Sequence, residues 1–291
     1  MSKTQSKTTA ALWMAGWLSL MLIMTVAGRE AMHDLNVFQL MEMRTLIGLP
    51  LLYPMIRRAG GFASLRTSRL PQHILRNLIH YTGQLGWFLA LSLIPIGQVV
   101  AIEFTMPIWT AILAASFLSE HMTPWKVVAI VLGIVGVIMI VRPAAGEINL
   151  GQLIALGAAV GFGVSMVLVK SLTRTDNVLS IMFWMLLVQS VVGFFPALYV
   201  WTWPSAHTLG WVVVIATCGT FSHYCLASAL RYADATIVVP MDFLRVPLTA
   251  TAGWFLYSEQ LGIWTVLGAG LILFGNLLNL RPARPIFRRE Q

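Results

Sequence analysis

Five ionisable residues lie within long apolar stretches of this sequence, away from the ends of those stretches. They are Glu42, Arg44, Glu103, Asp242 and Arg245. A charge at the centre of a bilayer costs at least about 2.5 kcal/mol, so such residues commonly mark a substrate or ion pathway. A guanidinium can bind an anionic group, and a carboxylate can bind a cation or a proton. We therefore treat all five as candidates for substrate binding or coupling, with a structural polar network as the alternative.

The spacing of these charges predicts how they pair. Asp242 and Arg245 are three residues apart and can pair on one face of a helix. Glu42 and Arg44 are two residues apart and point too far from each other to pair. Arg44 therefore needs a partner on another helix, and we predict that this partner is Glu103.

Three acids against two cations leave one acid without a fixed partner. If Arg44 holds Glu103, the spare acid is Glu42; if the partners are exchanged, it is Glu103. An unpaired acid inside a membrane can take up a proton, and we therefore predict proton coupling through one of these two carboxylates. The alternative is a closed structural triad of Glu42, Glu103 and Arg44 in a carrier driven only by the substrate gradient.

A second group of candidates is polar or aromatic. His80, Gln84 and Trp87 follow a spacing of four and three residues and form one stripe on a helix. Together with Trp109, this stripe suits the wall of a site for a small, partly aromatic substrate, or an ordinary helix contact. His80 and His223 have a reference pKa that suits a proton relay. A lone histidine in a membrane more often packs by hydrogen bonding.

The elements that must position these residues are membrane helices. Of 291 residues, 58% are hydrophobic and only 10% are charged, which is too little polar surface for a soluble protein. A helix needs roughly 20 apolar residues to cross the hydrocarbon. Ten runs qualify, near 10–28, 37–56, 74–94, 98–118, 125–142, 151–171, 179–200, 208–229, 236–256 and 262–280. Because these runs do not alternate as membrane strands would, we predict an all-α integral membrane protein.

A phrase near the middle of the chain returns near its end. FLSEHMTPW begins at Phe117 and LYSEQLGIW at Leu256. Four features keep the same spacing in both copies: Ser119-Glu120, Trp125, Gly136 and Arg142-Pro143, and Ser258-Glu259, Trp264, Gly275 and Arg281-Pro282. The chain therefore divides into two repeats of five helices, residues 10–143 and 151–282. Five is an odd number, so the second repeat enters the membrane from the other side.

The repeated residues have structural interpretations. We expect the two glutamates to cap the helices that follow them, because a carboxylate at a helix N-terminus is favoured by the free N–H groups and the helix dipole. The two tryptophans suit the headgroup level, and the two glycines permit close helix packing. Pro107 and Pro247 each lie inside an apolar run and predict bends in the fourth and ninth helices that face the central pathway.

The net charge of +8 is an orientation signal. Most Lys and Arg residues fall in four segments: the N-terminus, the loop after the second run, the loop after the sixth run and the C-terminal tail. These segments share one side if ten helices alternate, so the positive-inside rule places both termini in the cytoplasm. Nucleic-acid binding is not expected from this distribution.

The chain resembles the EamA-type repeat of the drug/metabolite transporter superfamily. The resemblance rests on Ala90-Leu91 and Ala229-Leu230, the prolines named above, and the Ser-Glu pair and glycine that follow each proline. It covers about residues 10 to 282. It implies a ten-helix carrier of small organic metabolites in a bacterial inner membrane, in many members an exporter, with helices 2, 4 and 9 lining a central cavity.

Inverted repeats are characteristic of secondary transporters that work by alternating access, and that is the function the sequence favours, with a small-molecule substrate and the lipid bilayer as partners. The alternatives are a membrane-embedded enzyme and a channel. The sequence has no HExxH, GxSxG or Walker motif and no repeated polar ring. We therefore expect no metal, no other cofactor and no catalytic residue.

Overall fold

The computed structural model describes residues 7–118, 124–141, 149–233, 238 and 241–280. These residues form eleven α-helices, with a short 3₁₀ turn at Gly61–Leu65 between the second and the third. The helices are α1 Lys7–Asp34, α2 Val37–Arg58, α3 Leu70–Leu93, α4 Ile96–Glu103, α5 Met106–Leu118, α6 Pro124–Val141, α7 Leu150–Leu172, α8 Val178–Tyr199, α9 Ala206–Tyr232, α10 Arg245–Tyr257 and α11 Ile263–Asn279. The fold is all-α, as predicted.

Four helices begin at a polar residue whose side chain caps the first turn. Asn36 accepts the N–H of Phe38 before α2, and Asn149 accepts that of Gly151 before α7. The caps of α8 and α9 are Asn177 and Ser205. Each cap satisfies an N–H that has no partner inside the helix and contributes about 1 kcal/mol, so these residues fix where the helices start.

The fourth predicted helix is interrupted, and a break also precedes α10. Phe104 and Thr105 form a turn between α4 and α5, just before Pro107. The Phe104 carbonyl, freed by this turn, accepts a hydrogen bond of 2.7 Å from Asn276 Nδ2 of α11. A freed carbonyl inside a membrane needs such a partner.

A second turn, at Phe243 and Leu244, precedes Pro247. Interruptions therefore lie close to both prolines. Pro107 is half-buried and Pro247 is exposed, and their orientation toward a central pathway stays a prediction.

Helices of the first repeat pack on helices of the second. The main pairs are α1 with α9, α2 with α8 and α9, α3 and α5 with α7, α4 with α10 and α6 with α11. Glycines allow the last pair to approach closely: a Cβ on Gly136 would lie 2.6 Å from the carbonyl oxygen of Gly268, and one on Gly275 would lie 2.9 Å from that of Ala129. The packing role predicted for these two repeated glycines is confirmed.

Six segments of the described residues are long and apolar enough to cross a membrane. They are Thr8–Asp34, Ile96–Leu113, Pro124–Val141, Leu150–Leu172, Val178–Tyr199 and Ala206–Leu226. α2 and α3 have similar lengths, 22 and 24 residues, but they carry several of the charged and amide side chains discussed below. Of these side chains, Glu42, Arg44 and Gln84 belong to the candidate site.

Glu259 caps a different helix from the one predicted. We expected it to cap α11, which follows it in the chain. Instead its Oε2 accepts the backbone N–H of Ile96, at the start of α4, at 2.9 Å. Ser258 adopts the left-handed conformation with φ 53°, and the Glu259 N–H bonds back to the Gly253 carbonyl at 3.1 Å, so the carboxylate is turned toward the first repeat. Glu120 lies outside the described residues.

Candidate functional site

The candidate residues gather in two buried polar clusters. The Glu42 cluster consists of Glu42, Arg44, Tyr81, Gln84, Gln189 and Ser190, from α2, α3 and α8. The Glu103 cluster consists of Trp17, Trp87, Glu103, Asp242 and Arg245, and lies beside the two helix interruptions. Both clusters combine residues from the two repeats.

Glu42 is deeply buried but only partly hydrogen-bonded. Its exposed fraction is 2%. One carboxylate oxygen, Oε1, accepts a hydrogen bond of 2.9 Å from Ser190 Oγ on α8. The other oxygen, Oε2, has no hydrogen-bond partner within the part of the chain that the structure describes. Buried carboxylates are normally paired with a cation or fully hydrogen-bonded, so Glu42 is held in an unusual environment.

The free carboxylate oxygen of Glu42 lies close to the backbone of α8. A Cβ built on Gly193 would lie 2.8 Å from Glu42 Oε2 and 2.7 Å from the hydroxyl oxygen of Tyr81. The Tyr81 hydroxyl is also buried and has no hydrogen-bond partner among the described residues. Gly193 therefore leaves room for an acid and a phenol to lie side by side against one helix.

Arg44 binds amides rather than the predicted carboxylate. Its Nη2 donates to Gln84 Oε1 at 3.0 Å and to Gln189 Oε1 at 3.3 Å, and its exposed fraction is 6%. The prediction that Arg44 pairs with Glu103 is wrong, because Glu103 is bound by Arg245. Two neutral amides satisfy part of the guanidinium without cancelling its charge.

Glu103 has two partners. Its Oε1 accepts from Arg245 Nη2 at 2.9 Å, and its Oε2 accepts from the indole N–H of Trp87 at 2.8 Å. Glu103 is the last residue of α4 and Arg245 the first residue of α10. The two helix interruptions therefore bring an acid of the first repeat against a cation of the second.

Arg245 is the centre of this cluster. The predicted pair with Asp242 is present, with Arg245 Nε 3.5 Å from Asp242 Oδ1, and Trp17 Nε1 donates to the same oxygen at 2.6 Å. The guanidinium carbon lies 4.8 Å from the centroid of the Phe104 ring, within range of a cation–π contact. Its Nη1 has no hydrogen-bond partner among the residues described, so this nitrogen keeps a free donor.

The remaining predicted residues lie elsewhere. His80 Nδ1 is 3.3 Å from Ser165 Oγ of α7, and its ring packs on Phe162. Trp109 donates to Thr105 Oγ1 at 3.1 Å, within the interrupted helix. These contacts match ordinary helix packing. The side chain of His223 lies outside the described set.

The sequence prediction missed three polar contacts of the clusters. Gln189 and Ser190 are adjacent polar residues in the middle of the apolar run of α8, and that position was the signal available for them. Trp17 carries no comparable signal, because aromatic residues are common throughout membrane helices.

The clusters offer charges and hydrogen-bonding groups but no metal ligand set. Among the described residues, no group of three or more His, Cys, Asp or Glu side chains could hold a metal ion. The chemistry available is recognition of charged groups, which fits binding and release of a solute.

Comparisons with known proteins agree with this interpretation. The EamA-like transporter family matches residues 8–142 and 149–281. The chain is 28% identical to an S-adenosylmethionine uptake transporter of Rickettsia bellii, over 89% of this chain and 90% of that protein. It is 30% identical to a riboflavin transporter of Brucella anthropi, over 81% and 85% of the two chains.

More distant matches extend the comparison. The chain is 24% identical to a pseudopaline exporter of Pseudomonas aeruginosa, over 86% of this chain and 88% of that protein. One solved crystal structure shares the fold with a TM-score of 0.64 and 18% identity, covering 94% of this chain and 97% of the other. Taken with the apolar spans, the family match shows that the chain is a small-molecule transporter in a bacterial plasma membrane and belongs to the EamA-like transporter family.

Proposed function

We propose that this protein is a secondary carrier that moves a small organic metabolite by alternating access. The observation that carries the proposal is the pair of interruptions, at Phe104–Thr105 and Phe243–Leu244, which meet through Glu103 and Arg245. Broken helices at the interface of two repeats are where transporters of this architecture bind substrates, since the freed backbone and buried charges can line a pathway. An enzyme or a simple channel would not need this arrangement.

Glu42 is the proposed coupling residue. It is the one acid of the three candidates for which no cationic partner is found in the described residues. A carboxylate that is not neutralised by a fixed cation can exchange its charge by binding a proton or a cationic substrate group. If a proton and the cationic group of the substrate compete for the Glu42 carboxylate, the arrival of one releases the other. The carrier then exchanges protons for substrate.

Exchange fixes the direction expected in a cell. With an inward proton gradient, a proton entering the site releases substrate to the outside, so we propose export. We also propose that both termini lie in the cytoplasm, which the distribution of Lys and Arg favours. Reporter fusions after Gly60 and after Gln291 test this orientation, and an external signal from either fusion contradicts it.

The relatives supply the first compounds to test as substrates. S-adenosylmethionine carries a positive charge at neutral pH, whereas riboflavin is neutral. A buried acid without a cation favours the cationic compound, because the substrate then supplies the missing charge. We therefore propose a cationic, nucleoside-sized metabolite rather than a neutral one.

The test uses the full chain in proteoliposomes without ATP. Labelled S-adenosylmethionine and riboflavin are measured separately for accumulation under an imposed pH gradient and for counterflow against unlabelled compound. Wild type should accumulate S-adenosylmethionine only with the gradient. Glu42→Gln should lose this accumulation and weaken counterflow of S-adenosylmethionine, because a neutral amide can neither exchange a proton nor pair with a cation. Asp34→Asn, at the end of α1 and outside both clusters, is the matched control and should behave as wild type.

Three results contradict parts of this proposal. Equal dependence on the gradient in wild type and Glu42→Gln removes Glu42 as the coupling residue. Gradient-driven uptake of riboflavin alone removes the cationic substrate class. Absence of counterflow for both compounds in wild type removes both as substrates.

A further inference from the structure

α4 and α10 form a tightly packed pair of half-length helices, one from each repeat. Every residue of α4 from Ile96 to Ile102 is buried. A Cβ built on Gly97 of α4 would lie 2.9 Å from the Cα of Ala250 in α10, which is too close for a side chain. The two backbones therefore touch, with no side chain between them at this point.

Side-chain contacts of Glu259 stabilise one end of the α4–α10 pair. Glu259 follows α10 and caps α4 through the Ile96 N–H. Its other oxygen pairs with Arg29 of α1, whose Nη1 also lies 3.4 Å from the Ile94 carbonyl oxygen. This end is held by one carboxylate that serves a helix terminus and a guanidinium together.

The pair is fastened at its other end by Glu103 and Arg245. The side chain of Arg245 is 5% exposed and that of Glu103 is 15% exposed. Breaking this buried pair without replacement leaves the Glu103 carboxylate without a cation and Arg245 Nη2 without a partner, which is strongly unfavourable. Any movement that separates α4 from α10 during transport therefore requires something to take the place of each partner.

The charges nearby restrict what that replacement can be. Glu103, Asp242 and Arg245 together carry a net charge of −1, so a simple anion would add to the negative charge. A simple cation would satisfy Glu103 but leave Arg245 with only the 3.5 Å contact of its Nε to Asp242. Its Nη2 would lose Glu103, and its Nη1 already has no partner among the described residues. A ligand with one ammonium and one carboxylate satisfies both sides.

We infer that the Glu103 cluster is a binding site for the amino-acid end of a zwitterionic substrate. The ligand carboxylate binds Arg245, the ligand ammonium binds Glu103, and the two groups replace the ion pair when α4 and α10 separate. Trp87, which already donates to Glu103, and Phe104, which lies against Arg245, provide aromatic surface beside them. This inference rests on the proposed carrier function and names the substrate class for it.

The test measures ligand-induced thermal stabilisation of the purified full chain in detergent, with three matched probes. S-adenosylhomocysteine carries the ammonium and the carboxylate, its decarboxylated analogue S-adenosyl-3-thiopropylamine carries the ammonium without the carboxylate, and 5′-methylthioadenosine carries neither. Wild type should bind the first at least about tenfold more tightly than the other two, since each lost charge pair is worth at least a factor of this order. Stabilisation by a ligand that binds only the folded state reports that affinity.

The double variant Glu103→Gln/Arg245→Met tests the residues. Both charges of the pair are removed together, and Asp242, which loses its contact with Arg245, is 20% exposed and keeps the hydrogen bond from Trp17, so the chain should stay folded. It should bind S-adenosylhomocysteine no better than 5′-methylthioadenosine, whereas Asp34→Asn should keep the wild-type preference. Equal or absent stabilisation of wild type by all three probes overturns the inference, as does a preference that survives in the double variant.

The binding measurement is independent of the transport measurement. It needs no gradient and no vesicle, so a failed coupling test at Glu42 leaves it intact. Counterflow in proteoliposomes, in turn, tests the carrier without requiring a preference for zwitterions.

Discussion

Glu42 and Glu103 are both acids of the first repeat, but their surroundings differ in kind. Glu103 has a 15% exposed side chain, a guanidinium partner and an indole partner. Glu42 is 2% exposed, and the only hydrogen bond found for its carboxylate among the described residues comes from the hydroxyl of Ser190. The more deeply buried acid is thus the less compensated one. Stability alone would favour pairing the more deeply buried acid with a cation. The difference therefore distinguishes Glu103, which links the two repeats through an ion pair, from Glu42, whose charge can change.

The largest expected effect on stability comes from removing the cation that pairs with Glu103. Arg245→Met should lower the free energy of unfolding by about 3 to 5 kcal/mol, because Glu103 is left buried without its cation. Equilibrium unfolding by denaturant in mixed micelles measures this change. Adding Glu103→Gln to the same chain should recover most of the loss, since the more buried orphaned acid is removed and only Asp242, which is 20% exposed, remains without its cation. A double variant as unstable as the single one would show that Arg245 acts by packing or through Asp242 rather than by pairing with Glu103.

A smaller effect is expected at the helix interruption that positions Glu103. Asn276→Leu removes the donor to the Phe104 carbonyl, which has a 2.7 Å hydrogen bond in the native chain. A buried carbonyl without a partner costs about 1 to 3 kcal/mol, measured by the same unfolding experiment. Phe274→Leu, at a 54% exposed position of the same helix, is the control and should change stability little. An unchanged stability of Asn276→Leu would mean that the interruption does not depend on α11.

Contacts that depend on local spacing or on the internal repeat were predictable from the sequence, whereas contacts between distant helices were not. The Asp242–Arg245 pair was predicted from the three-residue spacing and forms although the turn at Phe243–Leu244 lies between the two residues. The close approach at Gly136 and Gly275 follows from the repeat. The partner of Arg44 does not follow from either. Its amide acceptors lie 40 and 145 residues away, and spacing within a helix contains no information on which helix packs against it.

Glu259 shows the same limit at a helix terminus. A carboxylate near the start of a helix predicts a cap for that helix, yet Glu259 caps α4, 163 residues earlier in the chain. The chemistry of the contact was predictable, since the free N–H groups of a helix terminus favour a carboxylate. The identity of the helix was not, because it depends on how the two repeats pack.

The smallest effect on stability is expected at Glu42, and this measurement would distinguish Glu42 from Glu103 most clearly. Glu42→Gln keeps an amide oxygen that can accept from Ser190, and it leaves no known cation unpaired, so the free energy of unfolding should change by less than about 1 kcal/mol. Glu103→Gln, the matched substitution at the other acid, leaves Arg245 without its 2.9 Å partner and should cost several times more. Unfolding of both variants in the same micelles gives the ratio directly. If Glu42→Gln were the more destabilising of the two, Glu42 would be a structural acid. A small change in stability, together with loss of gradient-driven transport, is expected of a coupling residue and not of a structural acid.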